Sequence, residues 1–339
     1  MEQVERPLVT LFVTTYNNAT TLGDTLESLV NQSYENLDIN IYDNCSEDGT
    51  VAVAREIQSR SSRPIKIHVN PENLGGEGNF NLCIQSMYGE YSGIFHADDI
   101  YDPDMVARQV ETMEQDPEVG GVLCHARLID LQGKVTGERF LPQEFAGHSV
   151  VKLDFPELFS LTLKYSNFLT CPSALLRREI FQDQIKAWNS TDFHTSSDLD
   201  TWLRLSSVSK LALLTERPLM SYRLSNASYS FNLHKIRTDK HPLFLVLNHY
   251  LNKPAVASLL TERDWACFHF LLFKDSMFRS YNVMKKWRKR EPFPPLEGDF
   301  SKIFSVALSS RYHIRFFILS LGILVFRTAL FPLFGSSRR

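Results

Sequence analysis

The feature that most constrains this chain is an alternation in its first hundred residues, where short β-branched runs are each followed by a stretch with helical spacing. Leu8 to Thr14 is such a run and reads as a buried strand. Leu22, Leu26, Leu29 and Val30 then recur at helical intervals. Leu37 to Tyr42 gives a second strand ending at Asp43, and the Ser46–Thr50 turn opens a second helix through Ile57. Ile65 to Val69 is a third strand, followed by a Gly/Asn loop and a helix over about Asn79 to Met87. Tyr91 to His96 is a fourth, ending at Ala97-Asp98-Asp99. Strands that alternate with helices need crossover connections, which predicts an α/β fold with a mostly parallel sheet flanked by helices. Ligand-binding loops in such a sheet gather at the carboxyl ends of the strands. Thr14–Asn17, Asp43–Ser46, Asn70–Gly78 and Asp98–Asp99 all fall at such ends.

Farther along, Gly121–Ile129, Phe168–Leu176 and Lys210–Leu214 read as strands and Asp198–Ser206 as a helix. From about Asn232 the pattern turns helical, with Leu243–Leu251, Ala255–Leu260 and Trp265–Phe278 as segments and the proline-rich Glu291–Glu297 as a breaker. This predicts a catalytic region over 1–231 and a helical C-terminal extension over 232–339.

The formal net charge of −3 conceals a division. From Lys274 onward there are 13 Lys/Arg against 4 Asp/Glu, or +9, and the preceding 273 residues carry 23 against 35, or −12. Many of the 24 Phe lie in the basic tail, which suits the inner surface of an anionic membrane rather than nucleic acid. The apolar run Phe316–Phe326 is 11 residues long, against roughly 20 for a span, so an interfacial helix is expected. Five scattered cysteines with no metal spacing, and an N-terminus without a basic-then-apolar leader, lead to the expectation of a cytoplasmic chain, peripheral on the inner face of the membrane.

Asp98 and Asp99 carry the sharpest chemistry. Two adjacent carboxylates at the end of a buried strand are costly to bury unpaired, whereas Mg²⁺ or Mn²⁺ takes oxygen ligands and would neutralise a diphosphate as well. A helix cap is the competing explanation, but Asp102-Pro103 offers a cap of its own, with Pro103 at the first helical position. Asp43 could accept hydrogen bonds from a base or ribose, while Ser46 and Asp48 suit helix capping. The glycine-rich Asn73–Asn79 segment matches neither a dinucleotide fingerprint nor a Walker loop. In Ser197–Arg204, Asp198 is either a cap or a general base, and Arg204 can reach back one turn to a carboxylate. His194 and His96 are single histidines, for which structural roles are favoured.

Together these segments resemble the family 2 glycosyltransferases of the GT-A fold, a Rossmann-like architecture. The resemblance runs through Val9–Asn17, Leu26–Tyr34, Asp43–Thr50, Asn73–Gly76, Ala97–Asp99, Asp198–Arg204 and Tyr222–Leu224, in order, over about residues 7–230. It implies an inverting enzyme that moves a sugar from a nucleoside diphosphate sugar, UDP by default, to a saccharide or polyisoprenoid-linked acceptor in surface-polysaccharide assembly. By that resemblance Thr15, Tyr16, Asn17, Asp43, Asn73, Asn79 and Asp98 would bind the donor nucleotide. Asp99 would ligate Mg²⁺ or Mn²⁺ and Asp198 would be the base. In many relatives an Asp stands at His96, and a His often follows the Tyr-Arg pair, where this chain has Ser225; His234 is a candidate stand-in. A scaffold that has lost catalysis, or a sugar nucleotidyltransferase, are the alternatives. Retention of the four aspartates speaks against the first, and the absence of a basic glycine-rich loop near Leu11–Thr20 against the second.

Overall fold

The computed structural model describes residues 6–224, 237–286, 292–309 and 311–330. Ser225 and His234 lie outside the described residues. The chain divides into two compact units, one of Met1–Leu158 with Phe168–Ser225, the other of Phe159–Asn167 with Asn226–Arg339.

In the first unit the strand–helix alternation folds as expected. Strand β1 (Val9–Thr15) leads to α1 (Leu22–Val30), β2 (Leu37–Asp43), α2 (Thr50–Arg60), β3 (Ile65–Val69), α3 (Gly75–Gln85) and β4 (Tyr91–His96). Val9, Leu11 and Val13 alternate into a core they share with Leu22, Leu26 and Leu29, which is why a β-branched run and an i, i+4, i+7 helix follow one another here. Next come β5 (Ile100–Tyr101), α4 (Met105–Gln115), β6 (Val119–Cys124), β7 (Ala126–Ile129), β8 (Val135–Glu138) and β9 (Val150–Leu153). The chain continues through α5 (Phe155–Tyr165), β10 (Leu175–Arg177), α6 (Ser190–Phe193), α7 (Ser197–Ser206), β11 (Lys210–Leu214) and β12 (Met220–Arg223). The large sheet has the order β3-β2-β1-β4-β10-β6-β11-β9, and a smaller one runs β5-β12-β7-β8. In the large sheet β1 to β4 pair in parallel, as do β6 and β11, with β10 and β9 antiparallel.

Several expectations need correcting. Helix α3 starts at Gly75 rather than at about Asn79, because Asn73 Oδ1 accepts from Gly75 N and Asn44 Oδ1 from Leu74 N, satisfying its first turn. Helix α4 starts at Met105 with Asp104 as its cap position, so Asp102 and Pro103 lie outside it. The reason is a long-range pair: the Asp102 carboxylate is held by Arg217 at 2.6 and 3.1 Å. Gly121–Ile129 is two strands in different sheets, broken at His125, whose N donates to Leu214 O. Of Phe168–Leu176, Leu175 and Leu176 alone enter a strand; Cys171–Ser173 is a 3₁₀ turn pinned by Ser173 Oγ to Thr170 O. Helix α5 was missed, although its start is signalled by Asp154 and Glu157, each accepting from the other's backbone N.

In the second unit, α8 (Leu243–Leu251), α9 (Pro254–Ala257), α10 (Glu262–Lys285), α11 (Phe300–Ala307) and α12 (Arg311–Val325) are helical, as the pattern required. Helix α10 is longer than the Trp265–Phe278 segment because Thr261 and Asp264 form a reciprocal capping box ahead of it. Its interior holds Asp275 between Arg237 and Arg279, both at 2.8 Å, with Arg279 also on Glu297 at 2.5 Å.

Candidate functional site

The parallel register aligns the ends of three strands. Thr15 at the end of β1 lies opposite Asp43 at the end of β2, and Thr14 opposite His96 at the end of β4. The chain reverses out of the sheet at each end, so polar side chains gather on one rim.

On the β1–β2 side the loops are tied to one another. Asn17 adopts a left-handed φ of 52° that Asn tolerates. Its N donates to Ser46 Oγ at 2.9 Å, and its Oδ1 accepts from Glu47 N at 2.9 Å. Asp43 is buried, accepting from Ser46 N at 2.9 Å and Ser46 Oγ at 2.5 Å. Asp48 caps α2 through Thr50 N, so the Ser46–Thr50 turn divides between holding Asp43 and capping. Thr15 Oγ1 donates to Asn18 Oδ1, and Tyr16 is left with an exposed ring. Beneath them an asparagine cluster fixes the start of α3. Asn44 donates to Asn73 Oδ1 at 2.8 Å, Asn70 to Asn79 Oδ1 at 2.9 Å, and Asn79 to Tyr42 O at 3.0 Å. The side chains of Asn73 and Asn79 are thus engaged within the protein. Tyr16, by contrast, presents a free face.

The β4 end is held differently. Thr21 Oγ1 donates to Ala97 O at 3.0 Å, Thr25 Oγ1 to Asp99 O at 2.7 Å, and His96 N to Tyr101 Oη at 3.0 Å. Arg223, at the end of β12 and 3% exposed, donates through Nε to Asp98 O at 2.7 Å and through Nη1 to Leu131 O at 3.0 Å. Its backbone N donates to Asp99 Oδ1 at 2.9 Å. Asp99 Oδ2 is buried with no hydrogen-bond partner in a residue only 1% exposed. Native proteins seldom leave a buried carboxylate oxygen unpaired. One donor atom each from His96, Asp98 and Asp99 lie within 4.8 Å of one another. Burial, then the Asp98 charge, pushes the Asp99 carboxyl well above the ordinary carboxylate range, with Arg223 opposing. Burial also lowers the His96 imidazole, with Asp98 opposing. An orphaned, desolvated carboxylate oxygen beside two further donors fits a hard divalent cation, which would satisfy Oδ2 and favour the charged form.

Asp198 lies in the first turn of α7, where its Oδ1 accepts from Leu199 N at 2.8 Å. Arg204 reaches back to Asp200 at 2.8 Å, the i, i+4 pair that the sequence called for. The segment ahead of α7 is moored to α3: Trp188 N donates to Asn81 Oδ1 at 2.7 Å, and the Phe80 and Trp188 rings lie 4.3 Å apart. Cys171 links this part of the unit to the β4 end. Its thiol is pushed well above its usual range by burial first, then by the charges of both Asp198 and Asp99. Both carboxylates are therefore within electrostatic reach of one sulfur. Sequence reasoning did not single out Cys171, nor Arg223 as the cation beneath Asp99. The Tyr222-Arg223 pair was its only trace.

Comparison with known proteins agrees. The family profile for glycosyl transferase family 2 matches residues 10–184, more than half of the chain. The chain is 25% identical over 237 residues to a putative teichuronic acid biosynthesis glycosyltransferase, TuaG, of Bacillus subtilis (strain 168), covering 67% of this chain and 83% of that protein. Among solved structures, S. aureus TarS (residues 1–349) in complex with UDP-GlcNAc is similar with a TM-score of 0.52 at 13% identity, covering 85% of this chain and 93% of that one. Mannosyltransferase PcManGT from Pyrobaculum calidifontis, in complex with GDP-Man and Mn²⁺, is similar with a TM-score of 0.55 at 17% identity, covering 98% and 84%. At these identities the two structures speak to the fold, a GT-A fold.

Proposed function

The chain belongs to glycosyl transferase family 2, and from that premise we propose that it transfers a sugar from a nucleoside diphosphate sugar to a hydroxyl of a saccharide or lipid-linked saccharide, with inversion at the anomeric carbon. The observation that carries this reading is the orphaned Asp99 Oδ2 at the strand-end rim beside Asp98 and His96. A rim that offers this atom to a cation also fits the diphosphate that such a cation accompanies. UDP-GlcNAc and GDP-Man in the two solved neighbours support a nucleotide-sugar donor.

In this reading Tyr16 stacks on the base, Thr15 and Asn17 shape the turn beneath it, and Asp43, locked by Ser46, accepts from base or ribose. Asn73 and Asn79 hold the adjoining wall through the asparagine cluster. Asp98 meets the ribose or diphosphate, and Asp99 is a ligand of Mg²⁺ or Mn²⁺. When bound, the cation offsets charge on the departing nucleoside diphosphate. Asp198 accepts the proton of the acceptor hydroxyl as its oxygen bonds to the anomeric carbon. The bond from that carbon to the diphosphate oxygen breaks, and the nucleoside diphosphate leaves with the electron pair. Asp198→Asn keeps the shape and removes the base, so transfer should fall by about 10²–10⁴-fold while donor binding persists. Full turnover in that variant would take Asp198 out of the mechanism.

The acceptor side is proposed to meet an anionic inner-membrane surface through the second unit. Phe304 on α11, Leu308 just past its end, and Ile318 and Leu319 on α12 are exposed, with Lys302 and Arg315 exposed among them. Among the described residues no helix is long and apolar enough to cross a membrane. An amphipathic, basic surface lies at an interface rather than spanning it. The likeness to TuaG, a putative teichuronic acid biosynthesis glycosyltransferase, supports placing the reaction in surface-polysaccharide assembly.

A further inference from the structure

We propose that His96 supplies a nitrogen ligand to the cation held by Asp99, and that this donor makes the site prefer a first-row transition ion such as Mn²⁺ over Mg²⁺. The inference rests on the metal-dependent donor site described above and identifies one of its ligands.

Strand geometry places the ring. Phe95 packs into the core, which turns its strand neighbour His96 to the other face of β4, and the Ala97-Asp98 turn that follows brings Asp98 and Asp99 beside it. The main chain there is fixed on both sides, since His96 N donates to Tyr101 Oη at 3.0 Å and Tyr101 Oη donates to His96 O at 3.3 Å. A ring nitrogen of His96 and one oxygen each from Asp98 and Asp99 lie within 4.8 Å of one another. Donors about 2.1 Å from a shared ion lie roughly 3 Å apart when adjacent and about 4.2 Å when opposite, so side-chain movement on the order of an ångström brings all three to coordination distance.

Two independent observations point to a ligand. Asp99 Oδ2 is buried with no partner. The His96 ring, partly buried at the same spot, makes no hydrogen bond to any side chain or backbone group among the described residues. A histidine kept for packing has its ring nitrogens satisfied by neighbours. This one has no such neighbour and sets a ring nitrogen within 4.8 Å of two carboxylates. Mg²⁺ holds to oxygen in near-ideal octahedral geometry, whereas imidazole suits first-row transition ions, so the nitrogen shifts preference toward the latter.

The test uses the full chain, stripped of metal and loaded with Mn²⁺ alone and with Mn²⁺ plus UDP. Pulsed electron paramagnetic resonance reads ¹⁴N coupling to bound Mn²⁺, and a second sample grown with ¹⁵N-histidine assigns it. The expected result is a ¹⁴N signal that becomes ¹⁵N on labelling. In His96→Asp the Mn²⁺ should remain bound without that signal, and the ratio of Mg²⁺ to Mn²⁺ dissociation constants should fall by about tenfold. His96→Gln, closer in size, serves where His96→Asp does not fold. Bound Mn²⁺ without nitrogen coupling in the wild type, or coupling that survives in His96→Asp, overturns the proposal and leaves the donor-site reading standing. A wild type that binds no Mn²⁺ in either sample, or an Asp99→Asn variant that binds it equally well, overturns the donor-site reading itself.

Discussion

Replacing Asp99 by Asn tests the metal reading through stability alone. Asn keeps the size of the side chain and the acceptor for Arg223 N at 2.9 Å, but removes the orphaned anionic oxygen. Asn puts an amide N–H where the buried anionic oxygen stood beside Asp98, exchanging like-charge repulsion for a donor; since an unsatisfied buried polar group costs about 1–3 kcal/mol, the metal-free variant should be more stable than the metal-free wild type by that order. At about 2–4 °C per kcal/mol for a domain of this size, its Tm in EDTA should rise by roughly 2–12 °C. The sign with pH follows from the raised folded-state value of Asp99. The unfolded carboxyl titrates near 4, so between there and the folded value the native state holds the extra proton. Wild-type stability from this group is thus full below about pH 4 and lost as pH rises through the folded value. The gap between variant and wild type therefore widens with pH. A cation at a hundred times its dissociation constant returns about 2.7 kcal/mol to the wild type alone, closing or reversing the gap. Thermal melts of both proteins at pH 5 and 8, in EDTA and in Mn²⁺, read all of this. A variant that melts below the wild type in EDTA at pH 8, or that gains as much from Mn²⁺, refutes the reasoning.

Removal of the buried guanidinium in Arg223→Met leaves Asp98 O and Leu131 O without their donor, and should cost about 1–3 kcal/mol by chemical denaturation. Arg217→Met removes a pair that is partly solvated, with Arg217 41% exposed, and should cost under about 1 kcal/mol; equal losses would contradict the weight given to burial. Leu308→Asp with Leu319→Asp should lower co-sedimentation with anionic lipid vesicles while leaving donor turnover in solution intact. Unchanged co-sedimentation would remove the membrane surface from the account. Burial raises the Asp102 carboxyl, but hydrogen bonds and charge from Arg217, with the Asp104 backbone, outweigh it and hold it below the usual range, so Asp102 adds stability above about pH 4 that is lost as pH falls through its folded value. Asp102→Asn should flatten the acid limb of a Tm–pH curve.

The first four strands and their helices were legible because local periodicity and tertiary demand agree there: Leu11, Ile39 and Phe95 are apolar and all enter one core. Legibility failed where distant partners decide. Asp102 reads as a cap until Arg217, 115 residues on, claims its carboxylate. The start of α3 depends on Asn44, 30 residues upstream of Leu74, whose backbone N it receives. His125 ends one sheet and starts another through Leu214 and Leu219, which no local pattern records. At the site the same division holds. Asp43, Asp98 and Asp99 could be placed from strand ends, whereas the Arg223 guanidinium on the Asp98 carbonyl, and Cys171 within electrostatic reach of Asp198 and Asp99, depend on chain crossings of long range.

Release of nucleoside diphosphate from a panel of nucleotide sugars, with acceptor saccharides supplied, tests the central claim most directly. The account predicts release with at least one donor that requires a divalent cation, stops in EDTA and is lost in Asp99→Asn and Asp198→Asn. Folded protein that releases none from the whole panel, or release indifferent to EDTA and to both substitutions, would contradict it.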